Sequence, residues 1–231
     1  YEITYGDWSS DVCSSDLAEF RRQHIFLPAL LGEPGAIAEA KELITMLAQH
    51  PLVLAQGRPG AKLGAQDNLD HHIWCMAPRA MRLAVYCTWL EAHGVWSPAD
   101  RRDIGARLLD FFATNVIPVL RGRVPGGHNQ QLSMTFCSTV VGHVFASVDG
   151  VAEHARDLHE WAYPKFIHTL GLLPASGYSH EGTTYQSDVV TPLTMWAGLF
   201  LEQLGEREIW TRRWEPNGWR ILDTLRMEVL M

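Results

Sequence analysis

Apolar residues return at every third or fourth position along most of the chain, and no stretch alternates strictly enough to form a strand, so the pattern predicts an all-α protein. Ala18 to Leu31 reads as a short amphipathic start interrupted by Pro28, and Gly32-Glu33-Pro34-Gly35 as a turn. From Ile37 to His50 the apolar positions 37, 40, 43, 44, 47 and 48 mark one face of a helix, closed by Pro51. Ile73 to Ala92 is a second helix, crowded enough with Trp74, Met81, Val85, Tyr86, Trp89 and Leu90 to imply burial on more than one side. Pro78 falls either in its first turn or at a kink. After Gly94, Ser97-Pro98-Ala99-Asp100 supplies an N-cap serine, a proline at the first helical position and an acid at the third, opening a helix that runs to about Leu120. Helices then follow over Gln130 to Ser147, over Val151 to Leu170 with a kink at Pro164, and over Tyr185 to Leu204 with a break at Pro192. Glu206 to Asn217 is a tryptophan-rich connector, and Gly218 begins a last helix.

If consecutive helices run antiparallel, helices 37–50, 98–120 and 151–170 point one way and helices 73–92, 130–147 and 185–204 the other. The long polar loops 51–72, 121–129 and 171–184 then share one end, and the short connections 93–97 and 148–150 share the other. This parity predicts a cleft at the loop-rich end, where long loops carry function more often than not.

Composition narrows the class. The 231 residues are 47% hydrophobic and 19% charged, enough for one large core, and no apolar run is long enough to span a bilayer. Asp-Trp-Ser-Ser-Asp-Val-Cys-Ser-Ser-Asp-Leu at 7–17 resembles one reading frame of a sequencing adapter, so residues 1–17 are set apart as a non-native segment from a domain over 18–231 that is expected to be truncated at both ends. Without Glu2, Asp7, Asp11 and Asp16, 19 basic residues face 22 acidic ones and the formal charge falls from −7 to −3. Such a balance, with no basic tract, argues against nucleic-acid binding. Cys75, Cys87 and Cys137 lie in apolar helical context without CxxC spacing and read as small core residues. Trp74, Trp89, Trp161 and Trp196 likewise sit in apolar helical patterns and read mostly as core.

The chemistry concentrates in Leu173 to Asp188, where Tyr178, His180, Glu181 and Tyr185 fall within eight residues between glycines that permit sharp turns and close approach. Gly127-His128-Asn129-Gln130-Gln131 at a helix start, followed after a helical hairpin by Glu181-Gly182-Thr183-Thr184-Tyr185, resembles the α/α-toroid polysaccharide lyases of the heparinase II/III and alginate lyase group, over roughly residues 71 to 225. In many relatives the histidine follows the asparagine, whereas His128 precedes Asn129 here. The resemblance implies an incomplete (α/α) toroid of antiparallel helical hairpins, β-elimination on a uronic-acid-containing polysaccharide, an acidic saccharide as partner, no cofactor and a periplasmic or secreted setting. It implies that Asn129 or Gln130 hydrogen-bonds the uronate carboxylate as charge develops, that Tyr185 transfers a proton, and that His128 or His180 is the partner base. A tyrosine in that role requires a cationic or donor-rich setting, since its reference pKa is near ~10, and Arg121 and Arg123 are the candidates in the neighbouring loop. With Tyr178, Glu181, His71 and His72 they complete the expected substrate-binding set.

Each residue also has a structural role open to it. Asn129 suits the N-cap of helix 130–147, and Glu181 suits the positive end of the following helix. Adjacent side chains on a helix diverge and no ligand follows four residues on, so His71 and His72 are expected to line a cleft rather than hold a metal. A glycoside hydrolase pairing Asp67 or Asp70 with Glu181 or Asp188, or a saccharide-binding helical scaffold without catalysis, would use the same loops.

Overall fold

A computed structural model describes residues 25–49, 69–122, 129–174, 176 and 190–224, of which 49, 69–72, 74 and 75 are described by backbone alone. The regular elements among the described residues are all helices, with no strand among them and a single antiparallel bridge between Trp214 and Trp219. A helical segment over 25–30, continuous through Pro28, turns Phe26 and Ala29 into the core. Gly32, at φ +90°, makes the turn that follows. Helix α1 spans Pro34–Gln49, earlier than its apolar face suggests, because Pro34 is already set for the first helical position, where a missing N–H is harmless.

Helix α2, Leu69–Glu91, begins four residues before the predicted start, so Pro78 lies in its interior rather than its first turn. It ends in a turn at His93 and Gly94 (φ +63°). The Ser97 capping box forms as predicted: Asp100 N–H donates to Ser97 Oγ and Ser97 N–H to Asp100 Oδ2, each at 3.1 Å. It opens α3, Pro98–Phe111.

The expected single helix to Leu120 is instead three pieces. Between α3 and α4 (Ile117–Gly122) lies a π-helical turn, Phe112–Val116, in which Ile117 N–H reaches back five residues to Phe112 O. Pro118 has no N–H for the carbonyl four residues before it, and a wider turn relieves its clash with that carbonyl. Thr114 Oγ1 and Asn115 Nδ2 donate to Asp110 O at 2.7 Å and Phe111 O at 3.2 Å within the widened stretch.

Helix α5, Asn129–Phe145, is buried along almost its whole length, as befits a helix apolar on every side, and touches α2, α3, α4, α6 and α7. Helix α6, Ala152–Gly171, carries Pro164 without interruption. Helix α7, Thr191–Gln203, has Pro192 in its first turn, directly after Val190 in π-helical conformation, and residues 185–189 of the predicted helix lie outside the described residues.

The packing fixes the directions of the middle helices. Phe136 meets Phe166 at 5.3 Å and Thr139 O accepts from His159 Nδ1 at 3.0 Å, so residue numbers fall along α5 as they rise along α6 and the pair is antiparallel. Arg102 lies against Gly150 and the Arg121 guanidinium over Trp161, so the α3 to α4 run is parallel to α6. Helix α2 ends beside Arg101, and Gly105 of the same helix α3 carries Phe145, the last residue of α5; Arg82 of α2 lies near Cys137 of α5. Helices α2 and α5 therefore run side by side in one direction. The parity read from loop lengths holds for these helices, and the ends of α2, α4, α5 and α6 that border the long polar loops fall at one end.

The tryptophans overturn their sequence reading. Trp89 and Trp196 are 42% and 51% exposed and Trp161 is half-buried, while Trp214 of the supposed connector and Trp219 of the supposed last helix are buried. The side chain of Trp74 lies outside the described residues. Trp219 Nε1 donates to Leu170 O, and Asn217 Nδ2 donates to Leu172 O at 3.0 Å and Leu173 O at 3.1 Å, so the 214–219 turn supplies donors to carbonyls at and beyond the C-terminus of α6. A Cβ at Gly171 would fall on the Glu215 carbonyl oxygen, so only glycine admits this turn. The segment is a tertiary cap, and local periodicity carries no sign of it.

Candidate functional site

The register of α5 against α6 puts Asn129 level with the end of α6, at the loop-rich end. Asn129 opens α5, yet its side chain does not cap it. It is 1% exposed, and both Oδ1 and Nδ2 lack a hydrogen-bond partner. The N-cap reading fails because a capping asparagine would accept an N–H from the first turn of its own helix. A buried amide left open at both atoms is costly, about 1–3 kcal/mol, and native folds leave very few such groups. At a helix N-terminus, where free N–H groups create a positive pole, this amide is well placed for an anionic group.

One turn further along the same face stands Ser133, also 1% exposed and with Oγ unpartnered. Its behaviour differs from its neighbours on α5. Thr135, Ser138 and Thr139 each return the hydroxyl to the carbonyl four residues back, at 2.7, 2.8 and 2.8 Å, while Ser133 makes no such bond to Asn129 O. Cys137 follows on the same face, fully buried, its thiol pushed up to about 12 by burial against a lowering from Ser133 beside it, a contact to sulfur too weak to satisfy the Ser133 hydroxyl. Facing this row from α2 is Arg82, whose Nε donates to Pro78 O at 3.4 Å and so folds the guanidinium back toward the Asn129 end. Burial pulls its pKa down, with the nearby Tyr86 and Cys137 opposing the shift. Neither Ser133 nor Arg82 stands out in sequence; the only trace is a hydroxyl and an arginine on predicted buried faces.

The other expected residues are placed unevenly. Gln130 is half-buried and already engaged. Arg121 is exposed at the end of α4, its guanidinium 5.8 Å from the centre of the Trp161 ring. It lines a groove of about 690 Å³ between α3 and α6, together with Leu109, Asp110, Ile117, His154 and Asp157, and Asn129 is not part of that groove. Lys165 lies over the same Trp161 ring at 4.2 Å. The backbone of His71 and His72 runs in the first turn of α2, at the same end as Asn129, and their side chains lie outside the described residues. Arg123, His128, Tyr178, His180, Glu181 and Tyr185 lie outside them altogether, as do the carboxylates Asp67 and Asp188. Asp70 is described by backbone alone.

A second polar cluster lies between α5, α6 and the 206–212 segment. His143 stands 5.7 Å from His159 and 5.5 Å from Phe200, ring centre to ring centre, and His159 stacks on Tyr163 at 5.5 Å. Tyr163 donates to Glu206 at 3.3 Å, and Arg212 pairs with the same carboxylate at 3.2 Å. Burial raises the Tyr163 phenol and Glu206 raises it further. Its groups already have partners, so it binds α6 to the segment beyond α7. Among the described residues no group of three or more histidines, cysteines or acids could hold a metal ion, and no helix is long and apolar enough to cross a membrane. Set against known proteins, the chain matches no family model, no curated sequence and no solved structure.

Proposed function

We propose that this chain is the helical domain of a polysaccharide lyase, an (α/α) toroid of antiparallel hairpins that cleaves a uronic-acid-containing polysaccharide by β-elimination. The observation that carries the reading is Asn129: a buried amide, open at both atoms, at a helix N-terminus on the end shared with the long polar loops. Elimination removes the proton at C5, forms the C4–C5 double bond, breaks the bond from C4 to the bridging oxygen and protonates that oxygen. Charge moves onto the uronate carboxylate in the transition state, and a donor already stripped of water stabilises it without reorganisation. Asn129 Nδ2 is that donor. Tyr185 follows Glu181-Gly182 in the segment that resembles the lyases, and its hydroxyl moves the proton. The alternating hairpins and the parallel pairing of α2 with α5 and of α3 to α4 with α6 suit a toroid.

The test is the ultraviolet absorbance of the unsaturated uronide on a panel of uronic-acid polysaccharides. Tyr185→Phe keeps the ring and should lower turnover by about 10² or more with the fold intact. Turnover at the parent rate would remove Tyr185 from the mechanism. New reducing ends without the absorbance would make the protein a hydrolase instead.

A further inference from the structure

An apolar ridge and an apolar groove both stand open on this chain, and they match each other in length and charge. The ridge is on α7, where Met195, Trp196 and Leu199 are all exposed and share one side of the helix. Thr194, Ala197, Gly198 and Leu201 hold the opposite side in the core, so the helix cannot turn its ridge inward. The other large apolar side chains that stand exposed among the described residues, Leu27, Leu31, Met46 and Trp89, are divided among the 25–31 segment, α1 and α2. The groove is the one of about 690 Å³ between the α3 to α4 run and α6. Leu109, Ile117, Leu158 and Trp161 form its walls, and the exposed Ala106 and Ala113 leave space between them. From Val151 to Trp161 it extends roughly 15 Å along α6, and α7 is roughly 20 Å long, at a rise of about 1.5 Å per residue.

Charge sets the direction of the fit. The C-terminal end of α7 carries the negative pole of the helix, no basic residue in its last turn, and the exposed Glu202 on the ridge side. The groove holds Arg121 at the end where α4 meets Trp161, with Lys165 over the same ring, and Asp110 and Asp157 line it short of that end. Neither Glu202 nor Arg121 forms an ion pair with another described residue. We propose that the α7 ridge of a second copy of this chain lies in the α3–α6 groove, with its C-terminal end at Arg121 and its N-terminal end toward Asp110. Leucine and isoleucine walls favour this occupant over a saccharide, whose hydroxyls would lose water there without gaining bonds. Trp196 is the anchor, a large ring that leaves water among small residues. Ridge and groove are different surfaces, so the contact is head-to-tail and joins copies into a ring or a chain. It does not depend on the lyase reading.

Sedimentation velocity of the whole chain reads the association directly. One helix in one groove is a small interface, so copies should associate in the micromolar range, visible between about 1 and about 200 µM. Trp196→Glu changes an exposed position, so it should fold as the parent does by circular dichroism and weaken association by about 30-fold, the loss of an aromatic hot spot. Should it fail to fold, Leu199→Glu takes its place. Ala113→Arg puts a long side chain into the groove and should also weaken association, with Ala106→Arg as the substitute if it does not fold. Mixed in equal amounts, the ridge variant and the groove variant should form an equimolar dimer that neither forms alone, because each supplies the surface the other lacks. Arg121→Glu should weaken association, and Glu202→Arg added to it should restore it. A parent that stays monomeric at about 200 µM would mean that the groove takes some other partner, and the second copy would be wrong. Folded ridge and groove variants that associate as the parent does, or a mixture of the two that sediments as separate monomers, would equally overturn the proposal.

Discussion

Replacing Asn129 with alanine separates a structural residue from a functional one by the sign of a stability change. If Asn129 capped α5, the substitution would cost about 1 kcal/mol. The geometry gives the opposite sign, because the side chain makes no capping bond and leaves both polar atoms buried and open. Removing them lifts a desolvation penalty of about 1–3 kcal/mol. Alanine also forms helix better than asparagine by roughly 0.5 kcal/mol. Against these stands the packing lost with a short side chain at a buried site, about 1 kcal/mol on the scale of a buried methylene. The net is a stabilisation of about 0.5–2.5 kcal/mol, a rise in Tm of about 1–10 °C for a chain of this size. Thermal unfolding followed by circular dichroism, on Asn129→Ala beside the parent, measures it. The same variant should lose unsaturated product from uronate polymers, the usual trade of stability for function at an active site. A fall in Tm would show that the amide has a structural partner, and the argument that its open atoms await a ligand would collapse.

Three further outcomes follow from the packing. A Cβ at Gly142 would meet His159 N at 2.6 Å and Ala155 O at 2.7 Å, backbone atoms that cannot rotate away, so Gly142→Ala should lose about 1–3 kcal/mol by forcing α5 from α6, whereas Gly35→Ala in open space should gain about 0.5–1 kcal/mol; equal Tm values for the two would refute the tight contact. Burial first, and then His159, hold the His143 imidazole below its ordinary value, so the unfolded chain takes up this proton more readily: stability is fully present above about pH 6.5 and is lost as the pH falls below it, and His143→Gln should flatten the fall of Tm between roughly pH 7 and 5. Burial pushes the Cys87 and Cys137 thiols up to about 12, so iodoacetamide should leave both unlabelled in the folded protein and label both in denaturant, read site by site by mass spectrometry; rapid labelling of either in the native state would contradict its burial.

Helix positions were legible wherever the signal is local. The Ser97 capping box, the apolar stripe of α1 and the turn at Gly94 are contained in a few consecutive residues, and the chain adopts them as read. Prolines misled in proportion to how far their effect depends on context. Pro78 and Pro164 stay inside helices, Pro192 follows a π-helical residue in the first turn of α7, and Pro118 has a π-helical turn before it that no periodicity announces. A missing N–H can be met by a widened turn or a helix start, and which of these occurs is settled by the neighbouring helices.

Loop lengths alone, through the alternation of helix direction, were enough to bring the ends of α2, α4, α5 and α6 together, and they marked Asn129 as the residue at that end. Its role was not legible. Residue type favours a cap, and only its burial and the absence of any partner remove that reading. The tryptophans show the same division. Periodicity assigned Trp89 and Trp196 to the core, but a helix has two apolar sides only where a neighbour covers each, and here those positions stay exposed while Trp214 and Trp219 close over the end of α6. Sequence by itself determined the all-α class, most helix boundaries and the directional parity of α2 to α6, because each follows from the 3.6-residue repeat, the loop lengths and the chemistry of adjacent residues. Which polar atoms end up buried without partners, and that Arg82 faces the Asn129–Ser133 row across two helices, were decided only by the tertiary structure, since hydrogen bonding and desolvation depend on groups distant in the chain.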